Sequence, residues 1–229
     1  IIFNNENSLD SITKKTAAVV IEPIQGGTGF ITPSNNFLQK VREKCTETGT
    51  LLIFDEIQTC YGRLGTLFGF ETYEIIPDIL CVAKGMGGGM PIGAFITSWK
   101  LMNLLTYAPK LGHITTFGGH PINCAASLAC LGHLLATNIM KEVEEKEQLF
   151  RTHLKHSKIK EIRGKGLMLA VEFQDEELIK KVVQQSLEKG LILFYFLFTK
   201  TAIRITPPLT ISNIEIIEGC EIIKGILEA

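Results

Sequence analysis

The stretch from residue 78 to residue 93, DILCVAKGMGGGMPIG, determines how the rest of the sequence is interpreted. An apolar run ends at Lys84, and glycines follow this lysine directly. Burying an ammonium group away from water is costly, so a lysine at the end of a buried strand needs a chemical reason. The stretch indicates either a loop that binds phosphate or a lysine that reacts itself. A plain surface lysine on a turn is the structural alternative.

The order of the residues argues against a phosphate loop. A Walker A motif places its glycines before the lysine, as G-x-x-x-x-G-K-[ST], and here they come after it. The glycines do not fit a dinucleotide-binding motif either, because Pro91 and a predicted strand stand where a helix would have to begin. A reactive lysine and a surface lysine remain as interpretations of Lys84.

Composition limits the class of protein. At 229 residues, with 45% hydrophobic and 21% charged side chains, the chain can bury the core of one large domain or two smaller ones. A net charge of −1 supplies no basic surface for nucleic acid or an anionic membrane, so small molecules are the expected partners. The longest apolar runs are far shorter than the roughly 20 residues that span a bilayer.

Cysteine and histidine spacing predicts neither a metal site nor a disulfide framework. The six cysteines form no C-x-x-C pair, and the five histidines show no H-E-x-x-H spacing. Reduced thiols among apolar neighbours favour a cytoplasmic location.

Strand-like and helix-like segments alternate through the first part of the chain. Strands are predicted at 17–23, 51–54, 78–83 and 92–98, and helices between Ser34 as N-cap and Gly49 and over 121–138. Continuous apolar strands are typical of a mainly parallel sheet covered by helices on both faces. Ligands gather at the carboxyl ends of such strands. Because Glu22, Asp55 and Lys84 each follow such an end, we expect these side chains to share one crevice.

The pattern changes near residue 139. A charged, amphipathic connecting helix is predicted over 139–157. It is followed by a strand and turn over 161–174, a helix over 175–190, strands over 191–196 and 202–208, and a last helix from about residue 211. We therefore expect a larger domain over 1–138 and a smaller α/β domain over 139–229.

A reactive lysine needs suitable neighbours. Lysine forms a Schiff base with an aldehyde most readily when burial or nearby charge lowers its pKa. If the aldehyde is pyridoxal phosphate, the pyridine nitrogen must stay protonated, which calls for a buried carboxylate. Asp55, at the end of the run LLIFDE, is the candidate.

Several motifs together resemble a known family. LLIFDEIQTCYGRLG (51–65), Asp78 and AKGMGGGMPIGA (83–94) resemble the signature of the class III pyridoxal-phosphate aminotransferases, which include ornithine, acetylornithine and 4-aminobutyrate aminotransferases. Further matching stretches are EPIQGGTGF (22–30), HITTFGGHP (113–121), IRGKGLMLAVEF (162–173) and IRITPPLTIS (203–212). The resemblance implies a fold type I α/β architecture: part of the mainly parallel large domain, plus a smaller C-terminal α/β domain.

The resemblance also implies roles for individual residues. Lys84 resembles the Schiff-base lysine that shuttles a proton, and Asp55 the partner of the pyridine nitrogen. Gln58 resembles the group that hydrogen-bonds the ring hydroxyl, and Ile57 would pack on the ring face. Thr116 resembles the threonine that reaches the phosphate of a neighbouring subunit, which implies a homodimer with a shared active site.

Glu22 and Arg204 resemble a substrate-binding pair of the ornithine-like members, in which the arginine is masked for one substrate and released for the carboxylate of the other. A structural salt bridge between the domains is the alternative.

The implied activity is ping-pong transamination of an ω- or δ-amino donor with 2-oxoglutarate. A non-catalytic dimerisation module and another class III reaction, such as an aminomutase, are the competing hypotheses.

The sequence departs from the family pattern at Cys60, where glycine is usual, and at His120, where asparagine is common. These departures bear on the substrate more than on the reaction.

Family members are longer at the N-terminus, and that part carries the phosphate cup, an aromatic that stacks on the ring and usually an arginine for the substrate. This chain alone is therefore expected to hold the cofactor poorly and to be inactive.

Overall fold

The computed structural model describes residues 1–34, 36–108 and 113–229. The chain forms two compact units, each assembled from separate segments. Unit 1 contains Ile1–Pro23, Pro33–Tyr61 and Leu67–Thr137. Unit 2 contains Ile24–Thr32, Gly62–Thr66 and Asn138–Ala229. Each unit carries its own four-stranded sheet.

The sheet of unit 1 is mainly parallel. Its strands are β1 (Ala18–Ile21), β2 (Leu51–Asp55), β3 (Ile79–Val82) and β4 (Ala94–Thr97), in that order across the sheet. β2 pairs in parallel with both β1 and β3, whereas β4 pairs with β3 in the antiparallel direction. The mainly parallel α/β architecture predicted from the sequence is thereby confirmed.

The helices of unit 1 are α1 (Phe37–Thr48), α2 (Gly69–Tyr73), α3 (Trp99–Met102) and α4 (Pro121–Ala136). Short 3-10 helices lie at Glu6–Ser11, Lys84–Gly87 and Asn103–Thr106. Pro121 stands in the first turn of α4, where its missing N–H is no loss.

Helix α1 buries the apolar face that its spacing predicts, and it ends at Gly49 as predicted. The backbone φ of Gly49 is +74°, and its N–H bonds the carbonyls of the last turn. The predicted N-cap, Ser34, is wrong. The cap position belongs to Asn36, whose φ is +65° and whose side chain makes no capping bond, while the Phe37 N–H is bonded to the Ser34 carbonyl at 3.1 Å.

Unit 2 is an antiparallel sheet with helices. Its helices are α5 (Val143–His153), α6 (Glu176–Glu188) and α7 (Asn213–Glu228), and its strands are β5 (Ile159–Lys165), β6 (Met168–Phe173), β7 (Phe194–Tyr195) and β8 (Ala202–Ile205). The strand order is β5-β6-β8-β7. Helix α5 is shorter than the predicted connecting helix, and β7 is shorter than the predicted strand over 191–196.

The core of unit 2 forms around its inner strands. Leu169, Val171 and Phe173 of β6 are fully buried, and so are Ile203 of β8 and Ile216 of α7. A capping box between Ser212 and Glu215 begins α7, which satisfies backbone donors of its first turn. Burial of this apolar surface is the main stabilising contribution to the unit.

Several large apolar side chains of unit 1 are exposed to solvent. Along α4 and the segment before it, the exposed fractions lie between 61% and 79% for Ile114, Phe117, Ile122, Leu128 and Leu135.

Across the three described ranges, no helix is long and apolar enough to cross a membrane. In the same ranges, no group of three or more His, Cys, Asp or Glu side chains is arranged to hold a metal ion.

Gly164 tests the packing of the β5–β6 hairpin. Its φ is +107°, and an added Cβ would lie 2.0 Å from the Met168 carbonyl oxygen. Gly190 is the matched control, because its φ is +82° but an added Cβ would meet nothing within 4 Å. We expect Gly190→Ala to lower the free energy of unfolding by about 1–2 kcal/mol through backbone strain alone. Gly164→Ala should cost at least about 3 kcal/mol because a backbone clash adds to the strain.

Chemical denaturation of the two variants measures this difference. Equal losses of stability in the two variants would contradict the close approach at Gly164.

Candidate active site

The candidate site is built on the pairing of β2 with β3. Asp55, the last residue of β2, is in register with Cys81 of β3. The Glu56 N–H then donates to the Cys81 carbonyl at 2.9 Å, which continues the parallel ladder past the end of β2. The residues that follow both strands therefore emerge at the same edge of the sheet.

The other end of this pair is held by Asp78. Its Oδ2 accepts the Leu52 N–H at 2.7 Å and the Arg42 Nη1 at 2.8 Å, while its own N–H donates to the Leu52 carbonyl at 2.8 Å. A carboxylate that accepts both a backbone and a guanidinium donor is strongly anchored. These bonds fix the register that places Asp55 beside Cys81.

Asp55 is half-buried, and its orientation is set by its own loop. Its Oδ1 accepts the Ile57 N–H at 3.1 Å, a local turn that aspartate favours. Ile57 and Gln58 are also half-buried. Burial raises the pKa of the Cys81 thiol, and the negative charge of Asp55 raises it further. The field of the Asp55 carboxylate therefore acts at the carboxyl end of β3.

Lys84 begins a single 3-10 turn shortly after β3, and it is exposed. Its φ is +44°, in the left-handed region that a lysine rarely adopts. Burial raises the pKa of the Cys60 thiol to about 11, and the positive charge of Lys84 opposes this rise. The structure thus groups Asp55, Ile57, Gln58 and Lys84 at the carboxyl edge of β2 and β3.

Glu56 is a fully buried carboxyl beside this edge, and the sequence reasoning gave it no role. Its Oε1 accepts the Phe70 N–H at 2.7 Å, and its Oε2 accepts the Gly69 N–H and the Thr59 hydroxyl, the latter at 3.0 Å. Burial raises the pKa of Glu56 above 4.5, although these donors act in the opposite direction. Glu56 therefore joins the site loop to the start of α2. A charged residue inside an apolar run was the signal for it.

One face of α4 holds the glycine-rich loop. The Asn123 Nδ2 donates to the Pro91 carbonyl at 2.7 Å, and the Cys130 Sγ lies 3.3 Å from the Gly85 carbonyl oxygen. Burial raises the pKa of Tyr61, and Ser127, between them on the same face, opposes this rise. The sequence reasoning missed all three helix residues. Their i, i+4, i+7 spacing, which aligns side chains on one helix face, was the available signal.

Thr116 and His120 lie on the exposed segment that leads into α4. His120 occupies the N-cap position but makes no side-chain capping bond. Cys60, the other departure from the family pattern, is buried, and its Sγ lies 3.8 Å from the Ala83 carbonyl oxygen. Thr116 is thus placed by a different segment from the four groups at the sheet edge.

Glu22 and Arg204 belong to different units. Glu22 is half-buried just after β1 of unit 1. In unit 2, the guanidinium carbon of Arg204 lies 5.2 Å from the ring centroid of Phe30 and 5.5 Å from that of Phe196. The two rings meet edge to face at 4.7 Å. Burial lowers the pKa of Arg204, and the guanidinium between two rings is still a cation suited to binding a carboxylate.

Comparison with known proteins identifies the family. The model for "Aminotransferase class-III" matches residues 3–227, so the chain belongs to the class III aminotransferases. Ornithine aminotransferase of Plasmodium yoelii is 31% identical, with a TM-score of 0.90 over 100% of this chain and 62% of that one. N-acetylornithine aminotransferase of Stenotrophomonas maltophilia K279a is 29% identical, with a TM-score of 0.86 over 100% and 61%.

The ornithine aminotransferase of Toxoplasma gondii, crystallised with oxidised glutathione, is 32% identical, with a TM-score of 0.91 over 100% of this chain and 55% of that one. That structure is described with partial occupancy of pyridoxal phosphate at its active site. This chain therefore spans between 55% and 62% of the length of these three structures. Class III aminotransferases depend on pyridoxal phosphate, and the resemblance seen in the motifs is confirmed.

The donor set at the sheet edge fits the ring of pyridoxal phosphate. A carboxylate (Asp55) suits the ring nitrogen, an amide (Gln58) the ring hydroxyl, an apolar side chain (Ile57) the ring face and an amine (Lys84) the aldehyde. The charges act in opposite directions on nearby thiols, since Asp55 raises the pKa of Cys81 and Lys84 opposes the raised pKa of Cys60. Among the residues assigned by resemblance, the Thr116 hydroxyl suits the phosphate.

Replacing Glu56 should change the free energy of unfolding in a way that depends on pH. Glu56→Gln removes one of two acceptor oxygens, so a backbone N–H of Gly69 or Phe70 loses its acceptor. The expected loss in the free energy of unfolding near pH 4.5 is about 1–3 kcal/mol. Glu71→Gln is the control with an exposed carboxyl, where water replaces the lost acceptor and the loss should be smaller.

The sign of the pH dependence follows from the raised pKa of Glu56 in the folded protein. The folded protein binds this proton more tightly than the unfolded chain, so the contribution of Glu56 is fully present below 4.5 and is lost as the pH rises through the folded pKa. Urea unfolding over a pH series above 4.5 should show the difference between wild type and Glu56→Gln shrinking. A difference that grows with pH would show that the ionised carboxylate is the stabilising form.

Proposed function

We propose that the full-length protein transfers the amino group of an ω- or δ-amino donor, of the ornithine or acetylornithine kind, to 2-oxoglutarate in a ping-pong reaction. The observation that carries this proposal is that Asp55 ends β2 and that Lys84 follows shortly after the adjacent parallel strand β3. When bound, the cofactor supplies an aldehyde and a ring that accepts electrons.

The residues of the chain supply the remaining chemistry. Asp55 holds a proton on the ring nitrogen, because its carboxylate is oriented by the Ile57 N–H. Lys84 Nζ takes and returns the proton of the substrate α-carbon, a role that needs an amine with freedom to move. Gln58 would orient the cofactor through the hydroxyl of its ring, and Thr116 would donate to the cofactor phosphate of the neighbouring subunit.

Substrate recognition is assigned to two further residues. Arg204 binds a substrate carboxylate with its guanidinium fork, supported by the position of that group against Phe30 and Phe196. Glu22 is the second proposed substrate-binding residue, the acidic member of the pair that the resemblance assigns together with Arg204.

A homodimer is the proposed assembly. The apolar side chains exposed on α4 and the segment before it form a surface that a second copy could cover. Thr116 lies on the same segment, so a dimer formed there would bring the threonine of one subunit to the interface.

A cytoplasmic location is proposed because the six cysteines are free thiols.

Replacing Lys84 tests the proposed reaction. Lys84→Arg keeps the positive charge, but a guanidinium neither attacks a carbonyl nor releases its proton at neutral pH. We expect glutamate formation from 2-oxoglutarate by the full-length protein to fall by about a thousandfold or more. Lys100→Arg, an exposed lysine of α3, is the matched control and should keep the parent rate.

A second measurement identifies the attachment point. Borohydride treatment followed by peptide mapping should place the mass of the cofactor on Lys84 in wild type and on no residue in Lys84→Arg. Retained transamination in Lys84→Arg would refute the proposed function.

Arg204→Lys tests the carboxylate anchor. Lysine keeps the charge but loses the planar fork and its contact with the two rings. The KM for 2-oxoglutarate should rise by about tenfold to a hundredfold, with a smaller change in kcat. Steady-state kinetics with varied 2-oxoglutarate measures both constants. An unchanged KM would remove Arg204 from the substrate site.

A further inference from the structure

We propose that Cys60 and Cys130 are positioning residues for Lys84, whose catalytic role is the one proposed above. Each thiol donates a hydrogen bond to the carbonyl of a residue next to Lys84 in the chain, Ala83 on one side and Gly85 on the other. Together the thiols fix the backbone from which the reactive side chain extends.

The two contacts come from separate parts of unit 1. Cys60 lies in the loop after β2, and its Sγ is 3.8 Å from the Ala83 carbonyl oxygen. Cys130 lies on α4, and its Sγ is 3.3 Å from the Gly85 carbonyl oxygen. Both distances lie within the range of a hydrogen bond to sulfur. Lys84 lies between the two residues that carry these carbonyls.

The backbone at Lys84 needs such support. A left-handed conformation is unfavourable for a residue with a side chain, and it persists where the surroundings determine it. The turn itself supplies one amide to each carbonyl, from Met86 to Ala83 at 3.0 Å and from Gly88 to Gly85 at 3.3 Å. A carbonyl oxygen has two lone pairs. One amide and one thiol therefore use the full accepting capacity at both positions.

Packing around the turn is close enough to transmit the constraint. A Cβ added to Gly88 would lie 3.1 Å from the Cys130 Cβ and 3.4 Å from the Ala126 carbonyl oxygen. A Cβ added to Gly85 would lie 3.1 Å from the Cβ of Tyr61, the neighbour of Cys60. The glycines after the lysine thus let both cysteine-bearing segments approach the backbone.

The thiol of Cys60 is in the state that can donate. Burial raises its pKa to about 11, so it keeps its proton at neutral pH. A thiol is a weak donor, and each bond alone has a small effect. The pair acts on both sides of one residue, so the effects of removing the two thiols should add.

The competing explanation is that both cysteines are small apolar side chains that fill space. Serine distinguishes the two explanations, because it keeps a donor while being smaller and more polar, whereas alanine removes the donor. If space filling is the role, serine should be no better than alanine.

The experiment compares Cys60→Ala, Cys130→Ala, the double alanine variant, Cys60→Ser and Cys130→Ser in the full-length protein. Cys124→Ala is the matched control, because Cys124 is an exposed thiol on the same helix as Cys130. The first readout needs no cofactor: hydrogen exchange of the Met86 and Gly88 amides, which report opening of the turn. Exchange should rise about threefold in each alanine variant and about tenfold in the double variant.

The second readout is steady-state kinetics. In each alanine variant kcat should fall about threefold with KM unchanged, because the substrate still binds while the lysine is less well placed. Serine should restore both exchange protection and kcat, and Cys124→Ala should match wild type. If the double variant does not fold, the paired alanine and serine single variants still decide the question.

Unchanged exchange at Met86 and Gly88 in the alanine variants would overturn the proposal, as would equal losses with alanine and serine. These outcomes are separable from a failure of the proposed function. If Lys84→Arg is inactive and exchange is unchanged, only the positioning role fails. If Lys84→Arg remains active, the cysteines position no catalytic lysine, whatever the exchange rates.

Discussion

Parallel pairing between β2 and β3 determines where the other candidate groups can stand. The strands run in the same direction, so the acid that ends one and the lysine that follows the other reach the same edge. Asp78 holds the opposite end through Leu52 and Arg42. Because side chains alternate between the faces of a strand, a slip of one residue would turn Asp55 to the other face. A half-buried ion pair at the other end of these strands thus secures the geometry of the site.

Around this pair, the groups that bond to the backbone and the charged groups have separate tasks. Glu56, Cys60 and Cys130 bond to the backbone and hold loops in place. Asp55 is half-buried and Lys84 is exposed. A supported backbone and an accessible amine suit chemistry in which the reacting group moves while its support stays fixed.

The sequence predicted most where a feature was local and periodic. The apolar face of α1 and the ends of β2 and β3 follow from spacing alone, and so does the placement of Asp55 and Lys84. The start of α1 was missed because Asn36 adopts a left-handed backbone that no spacing reveals. The apolar run 191–196 forms only a short strand, and the Phe198 N–H beyond it bonds to Gly27. The contact between the Cys130 Sγ and the Gly85 carbonyl joins residues 45 positions apart, so no local sequence pattern predicts it.

Unit 2 is assembled from segments that lie far apart in the chain, and this has a consequence for biosynthesis. The loop Ile24–Thr32 emerges from the ribosome early, yet its carbonyls at Thr28 and Gly29 are bonded by Thr199 and Arg163, which lie 171 and 134 residues later. Domains usually fold in the order of their synthesis. This loop therefore lacks its final hydrogen-bond partners until nearly the whole chain has been synthesised. A nascent chain paused before residue 163 would present this glycine-rich loop to proteases and chaperones.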